Sequence, residues 1–369
     1  MKVAFRVDAS LEIGSGHVMR CLTLADSLRN AGAQCHFISR KHSGHMLELV
    51  RQHGHLVTAL LTGDTFFETN ASMEKIPIHE TWLGCDWSID AKQTAGILAE
   101  WRPDLLIVDH YAIDQRWEDA VAPYYEKLLV IDDLADRFHN CDLLLDQNLG
   151  RQIEDYAEIV PDCCQVLAGP NYALLRPEFL AMRGYSLARR QSRPVFRELL
   201  VTMGGVDKLN ATSQVLLSLK NCNLPKNCRI TVVMGLNAPW ISSVQQLAIA
   251  MPWQTDVVVN VSDMAQLMAN SDLNIGAAGS TSWERCCLGL PALVVILADN
   301  QTAVARHLED SGAVSCFKLS DLLSQKMHNS LLEVIQLPER LSAMTHRCSV
   351  IVDGLGVTRV LAAIAKVIN

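Results

Sequence analysis

The sequence predicts an α/β protein with two doubly wound, Rossmann-like parallel-sheet domains that face each other across a cleft, and three observations support this prediction. The chain has 369 residues, of which 49% are hydrophobic and 20% charged, enough for two cores of ordinary size. Short β-branched or Leu-rich runs alternate with helical stretches, a pattern typical of parallel sheets covered by helices. Residues 183–197 are charged and lack an apolar period, so we expect them to form a solvated linker.

The predicted domains are residues 1–185 and residues 195–369. The strands expected in the first domain are Val3–Val7, Cys35–Ser39, Leu105–Val108, Leu128–Ile131 and Leu143–Leu145. The strands expected in the second are Leu199–Met203, Ile230–Met234, Asp256–Val259, Leu273–Ile275 and Ala292–Ile296. The apolar period of Gly354–Ile368 predicts an amphipathic helix, and we expect this helix to pack back on the N-terminal domain.

The balance of charges disfavours some classes of partner. The chain carries 32 Lys and Arg against 40 Asp and Glu, a net charge of −8, and contains no block of basic residues. Because nucleic acids and anionic membranes are bound through clustered positive charge, we expect neither of them as a partner. We expect instead a monomer that binds a small molecule.

The apolar segments predict a cytoplasmic protein. No apolar run approaches the ~18 residues that a membrane span needs, and the strongest, Leu288–Ala298, is interrupted by Pro291. Arg6 and Asp8 fall where a signal peptide needs an unbroken apolar stretch. The twelve cysteines form no Cys-x-x-Cys pair, and we expect them to be small buried hydrophobes in a reducing compartment.

A glycine-flanked histidine follows the first predicted strand, in the run Ile13–Cys21. A dinucleotide fingerprint is excluded because Met19 stands in place of the third glycine and Arg40 ends the next strand where an acid would hold a ribose. A P-loop is excluded because no Gly-Lys-Ser/Thr follows. The remaining interpretation is a close-approach turn at Gly16 that presents His17, at a helix N-terminus, to the cleft. His17 is therefore a candidate general base, although a lone histidine is also often structural.

The other strand ends of the first half are polar as well. Asp109 and Tyr111 follow one strand, Asp132-Asp133 the next, and Asn148 the last. Each acid could simply cap the following helix. Because these ends meet at one edge of a parallel sheet, we expect Asp109, Tyr111 and Asn148, with Gly16, to orient His17, bind sugar hydroxyls and hold a water.

Four histidines lie close together in the sequence, and they suggest a metal site as one interpretation. These residues are His42, His45, His53 and His55. No Cys or acid stands at ligand spacing among them, so we expect a helix-and-turn surface and no bound metal. The chain also contains no Asp-x-Asp sequence, so it offers no metal clamp for a diphosphate.

In the second half, a run of small residues leads from a strand into a helix. Gly279, Ser280 and Thr281 would expose backbone N–H groups and hydroxyls to a diphosphate, and Glu284, one turn later, could accept both ribose hydroxyls. An ordinary Ser/Thr cap with its Glu is the alternative, but it does not explain the preceding glycines. Two further turns follow strands of this half, Met203-Gly204-Gly205 and Asp299-Asn300-Gln301; the second offers amides to a sugar.

Six motifs together resemble a known family, the UDP-2,4-diacetamido-2,4,6-trideoxy-β-L-altropyranose hydrolases of pseudaminic acid biosynthesis. In the first half they are Gly-Ser-Gly-His-Val-Met-Arg-Cys at 14–21, Val-Asp-His-Tyr at 108–111, Ile-Asp-Asp-Leu-Ala-Asp-Arg at 131–137 and Leu-Leu-Leu-Asp-Gln-Asn at 143–148. In the second they are Met-Gly-Gly at 203–205 and Gly-Ala-Ala-Gly-Ser-Thr-Ser-Trp-Glu at 276–284. The resemblance covers nearly the whole chain.

The resemblance implies a GT-B fold similar to the lipid II-forming N-acetylglucosaminyltransferase, with UDP on the C-terminal domain. It implies hydrolysis of the UDP-sugar by a water that His17 activates, with C–O cleavage, inversion and no cofactor. By motif, the residues implied to contact UDP are Gly279, Ser280, Thr281 and Glu284, with Val261 near uracil; the glycines Gly204 and Gly205 form a second close-approach turn. The residues implied to contact the sugar in this half are Asn300 and Gln301.

Three other functions remain open on the sequence alone. A UDP-sugar glycosyltransferase would use the same nucleotide half with an acceptor in place of water. A UDP-N-acetylhexosamine 2-epimerase shares the implied fold and ligand. A nucleotide-sugar binding protein would bind without turnover. Release of UDP in the absence of an acceptor distinguishes these alternatives from a hydrolase.

Overall fold

The computed structural model describes residues 1–61, 77–192 and 196–368, and it divides the chain into two compact units. The first unit contains Met1–Leu174 and the C-terminal segment that begins at Gly356. The second contains Leu175–Leu355. The chain therefore passes from one unit to the other after Leu174 and again after Leu355. The first boundary lies earlier than the predicted end of the N-terminal domain at residue 185.

The first unit is built on a seven-stranded parallel sheet with the order β3-β2-β1-β4-β5-β6-β7. Its strands are β1 Lys2–Val7, β2 Gln34–Arg40, β3 Leu56–Leu60, β4 Leu105–Asp109, β5 Lys127–Ile131, β6 Leu143–Asp146 and β7 Gln165–Ala168. The strand order reverses between β1 and β4, which pair side by side so that Val7 lies opposite Asp109. In doubly wound sheets such a reversal opens a crevice at the carboxyl ends of the strands.

The second unit is built on a six-stranded parallel sheet with the order β10-β9-β8-β11-β12-β13. Its strands are β8 Glu198–Thr202, β9 Arg229–Met234, β10 Gln254–Val259, β11 Leu273–Ala277, β12 Ala292–Ile296 and β13 Val314–Lys318. The order again reverses beside the first strand of the unit, between β8 and β11. The same topological rule therefore predicts where each unit binds its ligand.

Helices connect the strands in both units. They are α1 Gly16–Asn30, α2 Leu47–Gln52, α3 Trp87–Trp101, α4 Gln115–Val121, α5 Pro177–Ser192, α6 Ala211–Lys220, α7 Ile241–Ile249, α8 Met264–Asn270, α9 Thr281–Cys287, α10 Thr302–Asp310, α11 Gln325–Gln336, α12 Pro338–Ile351 and α13 Gly356–Ile368. Local chemistry sets several of their ends. The side chains of Asp86, Asp114 and Asp263 accept N-cap hydrogen bonds at α3, α4 and α8. Just beyond α1, Gly32 turns the chain with a φ of 91°.

Each strand predicted from the sequence is present, and β3, β7 and β13 were missed. The missed strands lie at or next to the edges of their sheets, where half-exposed positions weaken the apolar signal. β7 has only four residues and begins at the exposed Gln165. β13 mixes Ser315 and Lys318 with its apolar residues. The core strands, in contrast, are near-continuous apolar runs because helices cover both of their faces.

The predicted linker at residues 183–197 is wrong for its larger part, because α5 extends to Ser192. Arg190 of this segment is not solvated: its guanidinium is buried and donates to the backbone carbonyls of Leu288, Ser271 and Met268. Because Arg190 donates to backbone carbonyls near helix ends and does not pack as an apolar side chain, this part of the helix shows no apolar period in the sequence. Arg193 and Pro194 lie outside the described residues.

By length and composition, one stretch of the described residues, Pro338–Ile368, could cross a membrane, although no such run was expected from the sequence. The structure divides this stretch into α12 and α13, which separate near Gly354, where φ is +87°. The apolar side of α12, including Met344, packs into the core of the second unit. The apolar side of α13, including Val360 and Ile364, packs into the core of the first unit, and the amphipathic helix predicted from the sequence is present.

Candidate active site

A histidine and a buried carboxylate form the centre of the first unit's site. His17 lies in the first turn of α1, after a bridge between Ser10 and Gly14, and Asp109 is the last residue of the neighbouring β4. His17 Nδ1 is 2.6 Å from Asp109 Oδ1. Because a carboxylate only accepts hydrogen bonds, Nδ1 carries the proton and Nε2 is the ring atom able to accept one. The predicted orienting role of Asp109 therefore has the required geometry.

Arg20 binds the same carboxylate with two nitrogens. Its Nε lies 2.7 Å from Asp109 Oδ2, and its Nη2 lies 2.7 Å from Asp109 Oδ1 and 3.3 Å from His17 Nδ1. Burial alone would raise the pKa of the Asp109 carboxyl, but Arg20 and His17 hold that pKa well below its usual range. Asp109 is thus an ionised acceptor throughout the physiological pH range.

The predicted sugar and water residues meet around a second carboxylate, Asp133. Tyr111 donates its hydroxyl to Asp133 Oδ2 at 2.6 Å, and Asn148 donates its side-chain amide to Asp133 Oδ1 at 3.0 Å. Arg20 reaches Asp133 with its remaining nitrogen at 2.8 Å. The ring of Tyr111 also meets the His17 ring edge-on, with centroids 4.6 Å apart. These contacts bring Tyr111 and Asn148 into one network with His17; their proposed roles towards sugar and water stay predictions.

Sequence reasoning assigned no role to Arg20 and did not select Asp133. A signal for Arg20 was available, because residues three apart on a helix share a face and His17 lies in the first turn of α1. Asp133 was one of two adjacent acids, and only the fold shows that Asp133 faces Arg20. Its neighbour Asp132 instead binds Arg137, at 2.8 Å.

Two further aromatic side chains adjoin Tyr111. The Trp82 ring stacks on the Tyr111 ring with centroids 5.6 Å apart and an angle of 20°. His79 contacts both rings, and burial lowers its pKa. Both residues are half-buried, so part of each ring remains accessible. They lie just before α3 without a recognisable motif, which is why sequence reasoning missed them.

Of the four clustered histidines, three lie at the surface as half-buried side chains, whereas His55 does not. His55 is buried and His53 is half-buried, and both bind Asp26, at 2.9 Å and 2.8 Å. His42 lies 3.6 Å from Asp8, a buried carboxylate that binds Arg6. Among the described residues, no group of three or more His, Cys, Asp or Glu is arranged to hold a metal ion.

In the second unit, a buried arginine organises the run of small residues after β11. Arg285 donates to the Asn274 side chain at 2.8 Å, to the Ala277 carbonyl at 3.0 Å and to the Ser282 hydroxyl at 2.8 Å. A side chain at Gly276 would collide with Arg285 and Asn274, so glycine is required there. The arginine therefore fixes the loop that leads into α9.

This loop presents the predicted nucleotide residues at its exposed end. Gly279 and Ser280 are exposed, and a Cβ added at Gly279 would meet no atom within 4 Å. Ser280 takes the N-cap position of α9, but its side chain makes no cap hydrogen bond within the described chain. The alternative of an ordinary serine cap is therefore not supported. Thr281 follows as the first residue of α9 and is half-buried.

Glu284 lies one turn into α9, with its side chain 20% exposed. Its carboxylate is 3.5 Å from the guanidinium of Arg176, which also pairs with Glu178 at 3.0 Å. Burial raises the pKa of the Glu284 carboxyl, and Arg176 only partly offsets this effect. A carboxylate so weakly paired can accept hydrogen bonds from a ligand.

The remaining predicted residues follow other strands of the second sheet. Gly204 and Gly205 follow β8, next to β11, and φ at Gly204 is 85°. Asn300 and Gln301 follow β12, on the other side of β11. The Gln301 side-chain oxygen accepts the Leu297 N–H at 3.1 Å, so part of its amide holds its own loop.

Val261 is placed apart from these residues. It follows the edge strand β10, two strands away from β8 in the sheet, and it is half-buried. The preceding Asn260 has a φ of 57°, which turns the chain after the strand. Its predicted contact with uracil stays a prediction.

The two doubly wound units, each with its candidate site at the reversal of its strand order, define a protein of the GT-B fold class. This confirms the fold class implied by the sequence motifs. MurG from Acinetobacter baumannii has the same fold, with a TM-score of 0.69 over 99% of both chains and 17% identity. Residues 199–353 match the glycosyltransferase family 28 C-terminal domain.

The resemblance stated from the motifs is also confirmed. The chain is 26% identical to the UDP-2,4-diacetamido-2,4,6-trideoxy-β-L-altropyranose hydrolase of Campylobacter jejuni over 85% of this chain and 97% of that protein. It is 30% identical to the spore coat polysaccharide biosynthesis protein SpsG of Bacillus subtilis over 54% of this chain and 57% of that protein.

Proposed function

We propose that this protein hydrolyses a UDP-sugar to UDP and the free sugar. The observation that carries the proposal is the 2.6 Å contact between His17 Nδ1 and Asp109, which leaves Nε2 of the ring to accept a proton. A ring held in this tautomer is suited to activate water, the weak partner in hydrolysis. Similarity to the Campylobacter jejuni hydrolase over most of both chains supports the same reaction.

The substrate proposed is UDP-2,4-diacetamido-2,4,6-trideoxy-β-L-altropyranose, and the pathway is pseudaminic acid biosynthesis. The substrate comes from the name of that relative, and both the substrate and the pathway come from the family that the six motifs resemble. We further propose that the enzyme acts in the cytoplasm as a monomer, without a metal or a cofactor. The charges and hydrogen bonds that the reaction needs are supplied by side chains and backbone groups of the two units.

In the proposed step, His17 Nε2 takes a proton from water while the water oxygen bonds to the anomeric carbon of the sugar. The bond between that carbon and the UDP oxygen breaks, and its electron pair leaves with UDP. UDP is a good leaving group, so stabilisation of its charge matters more than its protonation. Attack opposite the leaving group inverts the anomeric centre, as in inverting glycosidases.

The second unit is proposed to hold the leaving group. Backbone N–H groups at Gly279, Ser280 and Thr281 would bind the diphosphate, Glu284 the ribose hydroxyls, and Val261 the uracil through its backbone. Asn300 and Gln301 would meet the sugar. The exposed glycine and serine, the unused serine cap and the weakly paired Glu284 carboxylate support this assignment.

The test is a reaction in ¹⁸O-labelled water with the UDP-sugar and no acceptor, in the presence of a chelator. We expect the label on the free sugar, unlabelled UDP and the inverted anomer as the first product. Label in UDP would demonstrate attack at phosphorus and would contradict the proposal.

A glycosyltransferase is the second candidate, because residues 199–353 match a glycosyltransferase domain and the fold is that of MurG. A transferase would release UDP quickly only when an acceptor is added. A 2-epimerase would change the sugar while UDP stays attached, and a binding protein would release nothing. The same incubation, followed by separation of UDP and sugars, distinguishes these outcomes.

A further inference from the structure

Arg20 and His17 share one buried carboxylate in the first unit. Asp109 Oδ1 lies 2.6 Å from His17 Nδ1 and 2.7 Å from Arg20 Nη2, while Asp109 Oδ2 accepts a second bond from Arg20 Nε at 2.7 Å. A buried carboxylate that pairs with a histidine alone stabilises the protonated form of the ring. Because Arg20 binds the same carboxylate, its positive charge opposes that stabilisation.

The geometry points to Arg20 as a positioning residue that opposes protonation of the His17 ring and so leaves Nε2 able to accept a proton. This inference rests on the proposed function, in which His17 activates water. Arg20 would act through Asp109 and His17 and needs no contact with the sugar.

The contact between Arg20 and His17 supports this inference. Arg20 Nη2 is 3.3 Å from His17 Nδ1, and both nitrogens carry protons in the tautomer that Asp109 selects. Neither can therefore accept from the other. A second proton on the ring would place two cations side by side, with Asp109 in contact with both and Asp133 in contact with Arg20. The guanidinium thus penalises the protonated ring more than the neutral one.

The other groups around His17 do not replace this effect. The titratable and charged groups that face the ring or its partners are Asp109 at the end of β4, Arg20 and Cys21 on α1, Tyr111 after β4, His79 before α3 and Asp133 after β5. Asp133 binds Arg20 and Tyr111, and the Asp133 side chain is 14% exposed to solvent. Burial lowers the pKa of His79 and raises the pKa of Tyr111. Both side chains are therefore neutral near neutral pH.

Two substitutions should move the titration of the His17 ring in opposite directions. Arg20→Gln removes the cation and leaves Asp109, so the midpoint should rise by roughly one pH unit or more. Asp109→Asn removes the anion and leaves Arg20, so the midpoint should fall below that of the wild type. Arg20→Lys keeps the charge but loses the two-pronged bond, so its midpoint should lie between those of wild type and Arg20→Gln. A loss of packing alone would not raise the midpoint in Arg20→Gln and lower it in Asp109→Asn.

The measurement is an NMR titration of the imidazole resonances, assigned with His17→Asn, together with the acid limb of the pH profile of kcat/KM. Arg29→Gln is the matched control, because it removes the same charge from α1 at a residue that pairs with Asp26 instead. We expect its His17 midpoint to equal that of the wild type.

A folded Arg20→Gln protein with an unmoved midpoint would overturn the inference, and so would a rise of the midpoint in Asp109→Asn. If Arg20→Gln does not fold, the fall expected in Asp109→Asn and the rise expected in Arg20→Lys decide the question. The ring titration needs no turnover, so it can be read even if no UDP-sugar is hydrolysed. Failure of the proposed hydrolysis is therefore distinguishable from failure of this inference.

Discussion

The two units use the same framework for different kinds of site. In the first, charged side chains close to the strand ends surround His17: Asp109 and Arg20 are buried, and Asp133 is half-buried. In the second, the loop after β11 is made of small residues, and its exposed end, at Gly279 and Ser280, offers mainly backbone. Both lie where the strand order reverses. The contrast teaches that loop residues, and not the fold, decide whether a site suits proton transfer or anion recognition.

This contrast has a physical reason. Proton transfer needs a side chain whose protonation is set by its neighbours, and such tuning requires buried charges at fixed distances. Binding a diphosphate needs backbone N–H groups that a ligand can approach closely, and side chains would obstruct that approach. We therefore expect substitutions in the two units to affect different measurements.

The largest effect is expected from His17→Asn. If the first unit activates water, the loss of the general base should lower the rate of UDP release by roughly 10²- to 10⁴-fold. UDP affinity should stay unchanged, because the nucleotide is proposed to bind to the second unit. Steady-state kinetics and calorimetry measure the two quantities separately.

His53→Asn provides a matched control, since His53 also binds a carboxylate, Asp26, at 2.8 Å. Its turnover should equal that of the wild type. Near-normal turnover in His17→Asn would show that this histidine is not the general base. It would also contradict the assignment of proton transfer to the first unit.

The next effect is expected from Glu284→Ala. Loss of a charged acceptor for the ribose hydroxyls should weaken UDP binding by about 1.5–3 kcal/mol in calorimetry. Glu178→Ala is the control, because Glu178 pairs with the same Arg176 and has no assigned contact with UDP. Equal UDP affinity in wild type and Glu284→Ala would mean that the ribose is bound elsewhere.

Gly276, in β11, and Gly279, in the loop that follows it, should respond differently to alanine. At Gly276 a Cβ would meet Arg285, Asn274 and Thr202, so Gly276→Ala should lower the free energy of unfolding by roughly 1–3 kcal/mol. At Gly279 the same Cβ meets nothing within 4 Å, so Gly279→Ala should unfold like the wild type but bind UDP less tightly. Thermal unfolding and calorimetry test the pair. Equal stability losses would show that the loop is not held as described.

The smallest effect expected is on the pH dependence of UDP binding. Burial raises the pKa of the Glu284 carboxyl, so in the free protein it is protonated at a higher pH than an ordinary glutamate. A protonated carboxyl accepts hydrogen bonds poorly, and UDP affinity should therefore fall as the pH decreases from about 8 to about 5.

The terminal phosphate of UDP also titrates in this range, so the comparison is with Glu284→Gln. Between the same two pH values, wild-type affinity should fall roughly two- to fivefold more than that of Glu284→Gln. Parallel curves for the two proteins would indicate that the Glu284 carboxylate does not contact the nucleotide.

Much of the fold could be predicted from the sequence, because buried parallel strands are apolar runs between turn residues. The candidate residues found this way, such as His17 and Gly279, stand at strand ends within distinctive local patterns. Arg20, Trp82 and Arg285 were not found, because their importance depends on contacts made across the fold. The α5 segment was misjudged for the same reason: Arg190 looks solvated in sequence and is buried against carbonyls in the structure.

The return of α13 to the first unit also determines the order in which the protein can be completed. A ribosome makes the strands of the first unit before the second unit, and makes α13 after it. Until then the first core lacks Val360 and Ile364, and α1, which carries His17, lacks one of its packing partners. The unit that is synthesised first is therefore the last to finish folding. A chain interrupted after Leu355 would keep the whole second unit, but its histidine would lie in an incomplete core.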